Sequence, residues 1–192
     1  KLSFPTKKAG VFNMYGLAGA SDITQKLNDR KESYSYKLGT VGLSHHYILN
    51  DRNYVKSVIS VHDKIMVFKS LKTYRYSTED YKGDFKDAAL NVAVSITSKI
   101  NSKNTIKTGV QYNHINYDYF TRTAYSYKSE EDIYMDETGS ADQNQIYVSW
   151  KYRINNKLSL INGIHFLQLS LNKNYSIEPR NAIKLQLNAS QS

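Results

Sequence analysis

The sequence predicts an all-β fold, an antiparallel up-and-down meander of about eight long strands. Three observations carry this prediction. Apolar and polar residues alternate with a period of two, the alternating runs are about a dozen residues long, and the connections between them are alternately short and long. Strands of soluble sandwiches usually have about five or six residues, whereas a tilted strand needs about 9–11 to cross a bilayer. The run lengths therefore favour the wall of a transmembrane β-barrel.

Three runs alternate cleanly. In residues 145–154 the even positions are apolar, as at Ile146 and Val148, and most odd positions are polar. Residues 86–100 and 177–187 divide in the same way. Each of these strands therefore has one apolar and one polar face, which indicates a sheet between two different solvents.

Five further runs are predicted, and four of them are less regular, because the apolar side changes part-way or is incomplete. In the last of them, Phe166 is followed by Leu167 on the opposite side, which predicts a bulge or a change of surroundings along the strand. The less regular runs are residues 34–49, 54–68, 105–120 and 158–171, and residues 9–20 are the fifth run, which brings the count to about eight strands.

The short connections share one pattern, an aliphatic residue followed by asparagine, in "ILNDRNY", "KINSKNT" and "RINNKLS". This pattern predicts tight turns with left-handed backbone positions at Asn50, Asn101 and Asn155. The other connections are predicted to be long loops that begin near Ser21, Lys72 and Thr121. The final "QLNASQS" has the same pattern as the short turns, so we expect a fourth turn there and a further strand after it.

Tyrosine is abundant, with 17 residues in the chain, and its placement predicts two aromatic girdles at the edges of a membrane. The alternative is that tyrosine simply favours strands and loops. The predicted outer girdle comprises Tyr34, Tyr36, Tyr74, Tyr76, Tyr117, Tyr119, Phe120, Tyr125, Tyr127 and Tyr175, and the inner one comprises Tyr47, Tyr54 and Tyr152.

Composition and motifs argue against several functions. The net charge is +9, but Lys and Arg are scattered singly without a basic run, so no nucleic-acid partner is expected. Cysteine is absent, the five histidines show no ligand spacing, and no catalytic motif stands out, so we expect neither an enzyme nor a cofactor nor a metal site. The acidic stretch of residues 129–142 lacks the spacing of an EF-hand and is predicted to be a solvated loop.

The string "SIEPR" is the most distinctive short motif. Proline is tolerated at the first residues of a strand or at a sheet edge, so Pro179 is predicted to mark the start of a strand. Glu178 and Arg180 are two positions apart on one face, where we expect them to pair and to face the lumen.

An ordered series of strand and turn strings resembles a known family. The strings are "VFNMYGLAGAS", "YKLGTVGLSHHYILNDRNYVKSVISV", "IKTGVQYNHINYDYF", "LINGIHFLQLSLN" and "YSIEPRNAIKLQLN". Together they are similar to the barrel of TonB-dependent outer-membrane receptors that carry a carboxypeptidase-regulatory-like domain. The resemblance covers nearly the whole chain, from about residue 11 to residue 188.

The resemblance implies a bacterial outer-membrane barrel of about 22 strands around a plug, which imports a scarce nutrient such as a siderophore, glycan, peptide or cofactor. Residues 1–192 would then be a partial barrel domain. Its expected partners are outer-membrane lipid, the plug and remaining strands of a parent chain, the inner-membrane TonB complex through parts outside this sequence, and the nutrient.

The resemblance also places particular residues. Glu178 and Arg180 would lie near the outer end of a strand, and the loop after Thr121 would form part of the substrate mouth. The residues expected at the periplasmic turns are Asn50, Asp51, Asn101, Asn155 and Asn156. The residues expected to contact substrate are Tyr125, Tyr127, Glu130, Glu131 and Asp132.

Two alternatives remain open at this point. One is a self-contained eight-stranded outer-membrane barrel of adhesin or structural type, in which the first and last strands pair. The other is a soluble β-sandwich that binds a ligand, in which a second sheet covers the apolar face around Trp150.

Overall fold

The computed structural model describes residues 1–186 of the chain, and these residues form a single antiparallel sheet of nine strands. Each strand pairs with the next one in sequence, so the topology is an up-and-down meander, as predicted. The strands are β1 (Leu2–Pro5), β2 (Val11–Leu27), β3 (Arg30–Asn50), β4 (Asn53–Thr73), β5 (Thr78–Lys99), β6 (Asn104–Tyr125), β7 (Asp132–Arg153), β8 (Leu158–Leu169) and β9 (Tyr175–Leu185).

Neither alternative architecture occurs in this part of the chain. A closed eight-stranded barrel needs a ladder between the first long strand and the last, but within residues 1–186 β9 pairs with β8 alone. A sandwich needs a second sheet, and the described residues form one sheet. No helix long and apolar enough to cross a membrane occurs within residues 1–186. The predicted fourth turn falls on residues 187–192, which lie outside the described part.

The prediction of long loops was wrong. The chain passes from β2 to β3 through residues 28–29, from β4 to β5 through residues 74–77, and from β6 to β7 through residues 126–131. The rest of each predicted loop is strand. Side chains are polar on both faces there, so the apolar alternation disappears, although the backbone ladder that defines a strand continues.

The short turns are tight, but their mechanism differs from the prediction. The Asn50 side-chain oxygen accepts hydrogen bonds from the backbone nitrogens of Arg52 and Asn53, each at 3.0 Å. Asn101 accepts the equivalent bonds from Lys103 and Asn104, each at 2.9 Å. Because the side chain satisfies these amides, the turn needs no left-handed residue.

Apart from Gly10 in the β1–β2 turn, left-handed backbone in the described residues occurs at the opposite end of the sheet. Within the described residues the non-glycine positions with positive φ are Asn28, at 47°, and Lys173, at 56°. The third short turn has the same pattern as the other two. The Asn155 side-chain oxygen accepts hydrogen bonds from the backbone nitrogens of Lys157 at 2.8 Å and Leu158 at 2.9 Å. The two ends of the sheet therefore reverse the chain in different ways.

The bulge expected in residues 158–171 is also absent. β8 pairs with β7 and β9 in unbroken register, and Leu167 simply points to the other face. Register shifts occur instead between Ile48 and Asn50, next to a turn, and between Thr121 and Arg122, near the outer end of β6.

The two faces of the sheet differ in crowding, which shows that the sheet is curved. All buried residues project from the face opposite Ile146 and Val148, as the strand registers show. We call this crowded face the concave face and the other one the convex face. The buried residues are Glu32, Gly42, Ser70, Gly83, Ala89, Thr97, Gly109, Thr121, Thr123, Ala141 and His165.

The convex face is apolar mainly in the halves of the strands that adjoin the short turns, which we call the turn-side halves, although Ile65 and Val67 continue the apolar side into the outer half of β4. Beyond this apolar band, in the outer halves, the same face carries polar and charged residues such as Lys86, Asp118 and Thr138. The band in β4–β8 comprises Val55, Ile59, Val61, Leu90, Val92, Val94, Ile96, Ile106, Val110, Tyr112, Ile146, Val148, Trp150, Tyr152, Leu158, Leu160, Ile164 and Phe166.

The apolar band also shifts along the strands. Its outer limit is Leu90 in β5 and Ile146 in β7, but Ile146 aligns through Val110 with Val94 of β5. The limit therefore moves four positions along the strand direction across two strands. The strands of transmembrane barrels are tilted relative to the membrane normal. An apolar band parallel to the membrane plane therefore lies at a different position along each successive strand.

Candidate functional site: the concave face

A charged cluster lies in the outer half of the concave face. Lys64 of β4 forms an ion pair with Asp87 of β5 at 2.8 Å, and the Tyr119 hydroxyl of β6 donates a hydrogen bond to the same carboxylate. Burial raises the pKa of Asp87, but the bonds from Lys64 and Tyr119 outweigh it, so the net shift is downward. The carboxylate is thus held in its charged form.

A shallow cavity of about 280 Å³ adjoins this cluster on the concave face. It is lined by His62, Lys64, Asp87, Ala89, Asn91, Asn113 and Ile115. The lining combines a cation, a carboxylate, amides and an imidazole on a rigid sheet, a set that can hydrogen-bond a polar solute from several sides.

Aromatic rings surround the cluster in the same half. The ring centres of Tyr34 and Phe68 are 4.7 Å apart, and those of Phe68 and Tyr81 are 5.5 Å apart. A second group joins Phe85 to Tyr119 at 5.7 Å and Tyr117 to Tyr119 at 5.4 Å. Such rings offer flat apolar contact together with hydroxyl groups, which suits recognition of a polar organic molecule.

The predicted outer girdle was wrong for several of these tyrosines. Tyr34, Tyr36, Tyr117 and Tyr119 project from the concave face, because their positions share the parity of buried residues on the same strands. Tyr54 of the predicted inner girdle also lies on the concave face. The number of tyrosines was visible in the sequence, but their side of the sheet depends on register.

A chain of polar side chains crosses the concave face from β6 to β9. The Asn113 amide donates to Gln143 at 2.7 Å, and the Gln145 amide donates to Gln143 at 2.9 Å. His165 Nε2 lies 3.0 Å from the Gln145 oxygen, and its Nδ1 lies 3.2 Å from Arg180. Nothing in the local sequence marks His165, which is 5% exposed, because only strand register places it in this chain of side chains.

Glu178 and Arg180 end this chain. Arg180 donates to the Glu178 carboxylate at 3.0 Å, and both side chains lie on the concave face of β9. Pro179 is the fifth residue of β9, so it does not begin the strand as predicted. β9 is an edge strand within the described residues, and an edge tolerates a residue without a backbone donor.

The residues predicted to contact substrate lie at the β6–β7 tip, away from the concave cluster. Arg122 forms an ion pair with Glu131 at 2.9 Å, and Lys128 forms one with Asp132 at 2.5 Å. The rings of Tyr125 and Tyr127 lie 5.3 Å apart, and Glu130 is exposed. Much of the acidic charge of this tip is therefore neutralised within the hairpin itself.

The predicted turn residues lie at the opposite end of the sheet. Asn50, Asn101 and Asn155 organise their turns, as described above, whereas Asp51 and Asn156 are exposed. The structure thus separates the predicted residues into three places: the turns, the concave face of β9 and the β6–β7 tip. Within residues 1–186, no three His, Cys, Asp or Glu side chains are grouped closely enough to hold a metal ion.

Charge is distributed unevenly between the two ends. We define the turn end as the β1–β2 turn, the three short turns, the strand residues within five positions of them, and the last five residues of β9 (181–185), which lie at the same end of the sheet. This region holds eleven of the 26 Lys and Arg residues but only one of the 17 Asp and Glu residues, Asp51. The cations of the turn end are Lys7, Lys8, Arg52, Lys56, Lys99, Lys103, Lys107, Lys151, Arg153, Lys157 and Lys184.

Comparisons with known proteins give distant structural neighbours. No family model matches the sequence, and no curated protein matches it. The unliganded ferric citrate transporter FecA superposes with a TM-score of 0.49 at 8% identity, over 94% of this chain and 34% of FecA. The outer-membrane transporter YddB from Escherichia coli gives a TM-score of 0.37 at 12% identity, over 95% of this chain and 37% of YddB.

A third neighbour is the translocator domain of the autotransporter NalP from Neisseria meningitidis. It gives a TM-score of 0.34 at 8% identity, over 93% of this chain and 77% of that domain. The chain spans about a third of the length of the two transporters it superposes on.

Proposed function

We propose that this chain is a wall segment of a bacterial outer-membrane β-barrel. The observation that carries the proposal is the apolar band on the convex face, where Val110 is 50%, Ile146 49% and Trp150 43% exposed. In the described residues only two apolar side chains, Ala89 and Ala141, are buried, so the sheet has almost no core of its own. Lipid is the solvent that this face requires.

The edges of the band support a membrane location. At its inner limit the Trp150 indole donates to Asn104 at 2.9 Å. At its outer limit the Tyr112 hydroxyl donates to Asp142 at 2.7 Å. An aromatic ring whose polar tip is hydrogen-bonded is typical of the interface between hydrocarbon and head groups.

For the complete protein, we propose energised nutrient import of the TonB-dependent type. The concave face of this segment is polar, rich in tyrosine and hydrogen-bonded across several strands, as expected for the inner wall of a wide barrel that handles a polar nutrient. The cluster around Lys64, Asp87 and Tyr119 would then face the external half of the lumen, where a substrate arrives.

The membrane location can be tested with the native fluorophore, because Trp150 is the only tryptophan in the chain. Lipids brominated at different depths quench a tryptophan most strongly at its own depth. We expect Trp150 to be quenched best by bromines near the interface. Moving the indole to the band centre with W150F/V110W should shift the optimum towards the acyl-chain ends.

A matched variant, W150F/N113W, places the indole on the concave face of the same strand, three positions after Val110. Its fluorescence should respond to aqueous iodide and hardly to brominated lipid. Equal quenching of the convex and concave positions by lipid would overturn the proposal that one face meets the bilayer.

Orientation can be tested with cysteines, because the chain has none of its own. S129C in the β6–β7 tip should react with a membrane-impermeant maleimide on intact cells, whereas S102C in a short turn should react only after permeabilisation. The reverse pattern would overturn the assignment of the short turns to the periplasm.

Import needs a separate test. Cells that produce the full-length protein should remove at least one solute from a nutrient mixture, as measured by mass spectrometry of the medium. This depletion should stop when an uncoupler collapses the proton gradient or when the TonB complex is deleted. Depletion that continues under both conditions would reject TonB-dependent import. It would not contradict the proposal that the chain is part of a barrel wall.

A further inference from the structure

The cations of the turn end are not spread evenly over the two faces of the sheet. Six of them project from the concave face, as the strand registers show, and we call these six the basic floor. The basic floor consists of Lys56, Lys99, Lys107, Lys151, Arg153 and Lys184. The convex face at the same level carries the apolar band instead.

Register brings these side chains together across five neighbouring or near-neighbouring strands. Lys99 and Lys151 both pair with Thr105, from opposite sides of β6. Arg153 and Lys184 both pair with Ser159, from opposite sides of β8. Because adjacent strands are about 4.8 Å apart, members of each pair start about 10 Å apart, and long flexible side chains can converge on one ligand.

Counter-charges are missing from the basic floor. No residue of the floor forms an ion pair within residues 1–186, and all but the half-buried Lys151 are exposed. Among the described residues, the only cation–π contact of the floor is from Lys107 Nζ to the Tyr147 ring centre, at 5.6 Å. In the outer halves, by contrast, several cations are paired, for example Lys64 with Asp87 and Lys86 with Asp118, although within residues 1–186 others such as Lys26 and Lys37 are not.

We propose that the basic floor is a binding surface for small polyvalent anions, that is, solutes bearing several phosphate, sulfonate or carboxylate groups. Six like charges within one concave surface repel one another, and a multivalent anion relieves that repulsion at several positions at once. Concave cationic linings are also how pores favour anions. In the proposed barrel this surface lies at the periplasmic mouth of the lumen.

The surface is built by strand pairing alone, so the proposal does not depend on nutrient import and can be tested in detergent. The probe is pyranine, a fluorescent trisulfonate, titrated against the full chain in nonionic detergent and followed by fluorescence anisotropy. We expect binding at low ionic strength that weakens strongly at about 0.5 M salt, where the screening length falls below the spacing of the floor.

The decisive comparison is between two charge-reversed triple variants. K99E/K107E/K151E alters the floor, and K26E/K31E/K37E makes the same change in net charge at exposed lysines in the outer halves. The floor variant should lose at least about tenfold in pyranine affinity, which corresponds to about 1.4 kcal/mol. The control variant should stay within about twofold of the unaltered protein.

Far-ultraviolet circular dichroism establishes that each variant keeps its β-structure. If the triple floor variant does not fold, K107Q/K151Q, which removes charge without adding any, should still weaken binding by more than K26Q/K31Q. Equal losses in floor and control variants would overturn the proposal, as would no binding at low salt. Binding of polyglutamate without binding of pyranine would also overturn it, since the floor would then be a docking surface for an acidic polypeptide.

Discussion

The turn-side and outer halves of the long strands share one continuous backbone ladder but meet different surroundings. In β5 the convex face carries Leu90, Val94 and Ile96 on the turn side, and Lys86 and Lys82 further out. The ladder does not change between them, because register from β4 to β6 is unbroken along this length. Apolar alternation therefore indicates that the two faces of a strand contact different surroundings. Its loss does not mark the end of the strand.

The two halves also manage charge differently. Several cations in the outer halves, such as Lys64, Lys86 and Arg122, have carboxylate partners across the strands, whereas the basic floor has none within the described residues. Ion pairs between exposed groups add little stability, so the pairing in the outer halves mainly keeps that region near neutral. The net charge of +9 is consequently concentrated at the turn end.

The largest expected difference between the halves concerns a charge on the convex face. Val110→Arg places a cation in the apolar band, and should cost about 2–4 kcal/mol of folding free energy in lipid vesicles. Asn116→Arg, on the same face of the same strand but beyond the band, should cost less than about 0.5 kcal/mol. Urea titration of the vesicle-inserted protein measures both. Equal costs would mean that the band does not lie in hydrocarbon.

A second prediction concerns glycines that lie under tyrosine rings in both halves. A Cβ on Gly109 would lie 2.5 Å from the Tyr147 ring, and one on Gly139 would lie 2.5 Å from Tyr117. Gly109→Ala and Gly139→Ala should each cost about 1–3 kcal/mol from overpacking. Here the halves should behave alike, because the contact is the same.

The control for this prediction is Gly39, where an added Cβ would meet nothing within 4 Å. Gly39→Ala should be neutral or slightly stabilising. The double variant G109A/Y147A should recover part of the loss of G109A, which a double-mutant cycle in urea detects. Additive losses would show that the ring does not fill the space above Gly109.

The two kinds of turn should differ in their sensitivity to glycine. Asn101→Gly removes the side-chain oxygen that accepts two backbone bonds, and should cost about 1 kcal/mol. Asn28→Gly, at the other end, should be close to neutral, because glycine readily adopts the positive φ that Asn28 holds. Thermal unfolding in detergent compares the two. A loss at Asn28 larger than that at Asn101 would contradict this account.

The smallest effect is expected from pH at the outer half. The hydrogen bond from Lys86, at 2.7 Å, together with its charge, holds the pKa of Asp118 below its ordinary value. A carboxyl group with a lowered pKa contributes stability above its ordinary pKa and loses that contribution as the pH falls through the lowered one. Between pH 6 and pH 2, the melting temperature of Lys86→Gln should therefore fall slightly less than that of the unaltered protein. A steeper fall in the variant would reject the pairing.

Much of the fold was predictable from the sequence. Eight of the nine strands follow from apolar alternation, and β1 was missed because four residues are too few to show a period. The asparagine turns were located correctly, although the side-chain hydrogen bonds of Asn50 and Asn101 replace the predicted left-handed backbone. Strand ends were the weakest part, since polar residues on both faces look like loop.

Less of the candidate site was predictable. The Glu178–Arg180 pair was visible because its members are two positions apart on one strand. The cluster of Lys64, Asp87 and Tyr119 was not, because its members come from three strands and nothing in their local sequence marks them.

Local alternation by itself determined the all-β class, the apolar and polar faces of each strand and the positions of the short turns, because these depend on neighbours within a few residues. Tertiary structure alone decided which residues meet across strands. Lys99 and Lys151 are scattered singles in the sequence, yet both flank Thr105 in the sheet. Register determines such meetings, and a shift of one residue would send each of these side chains to the other face.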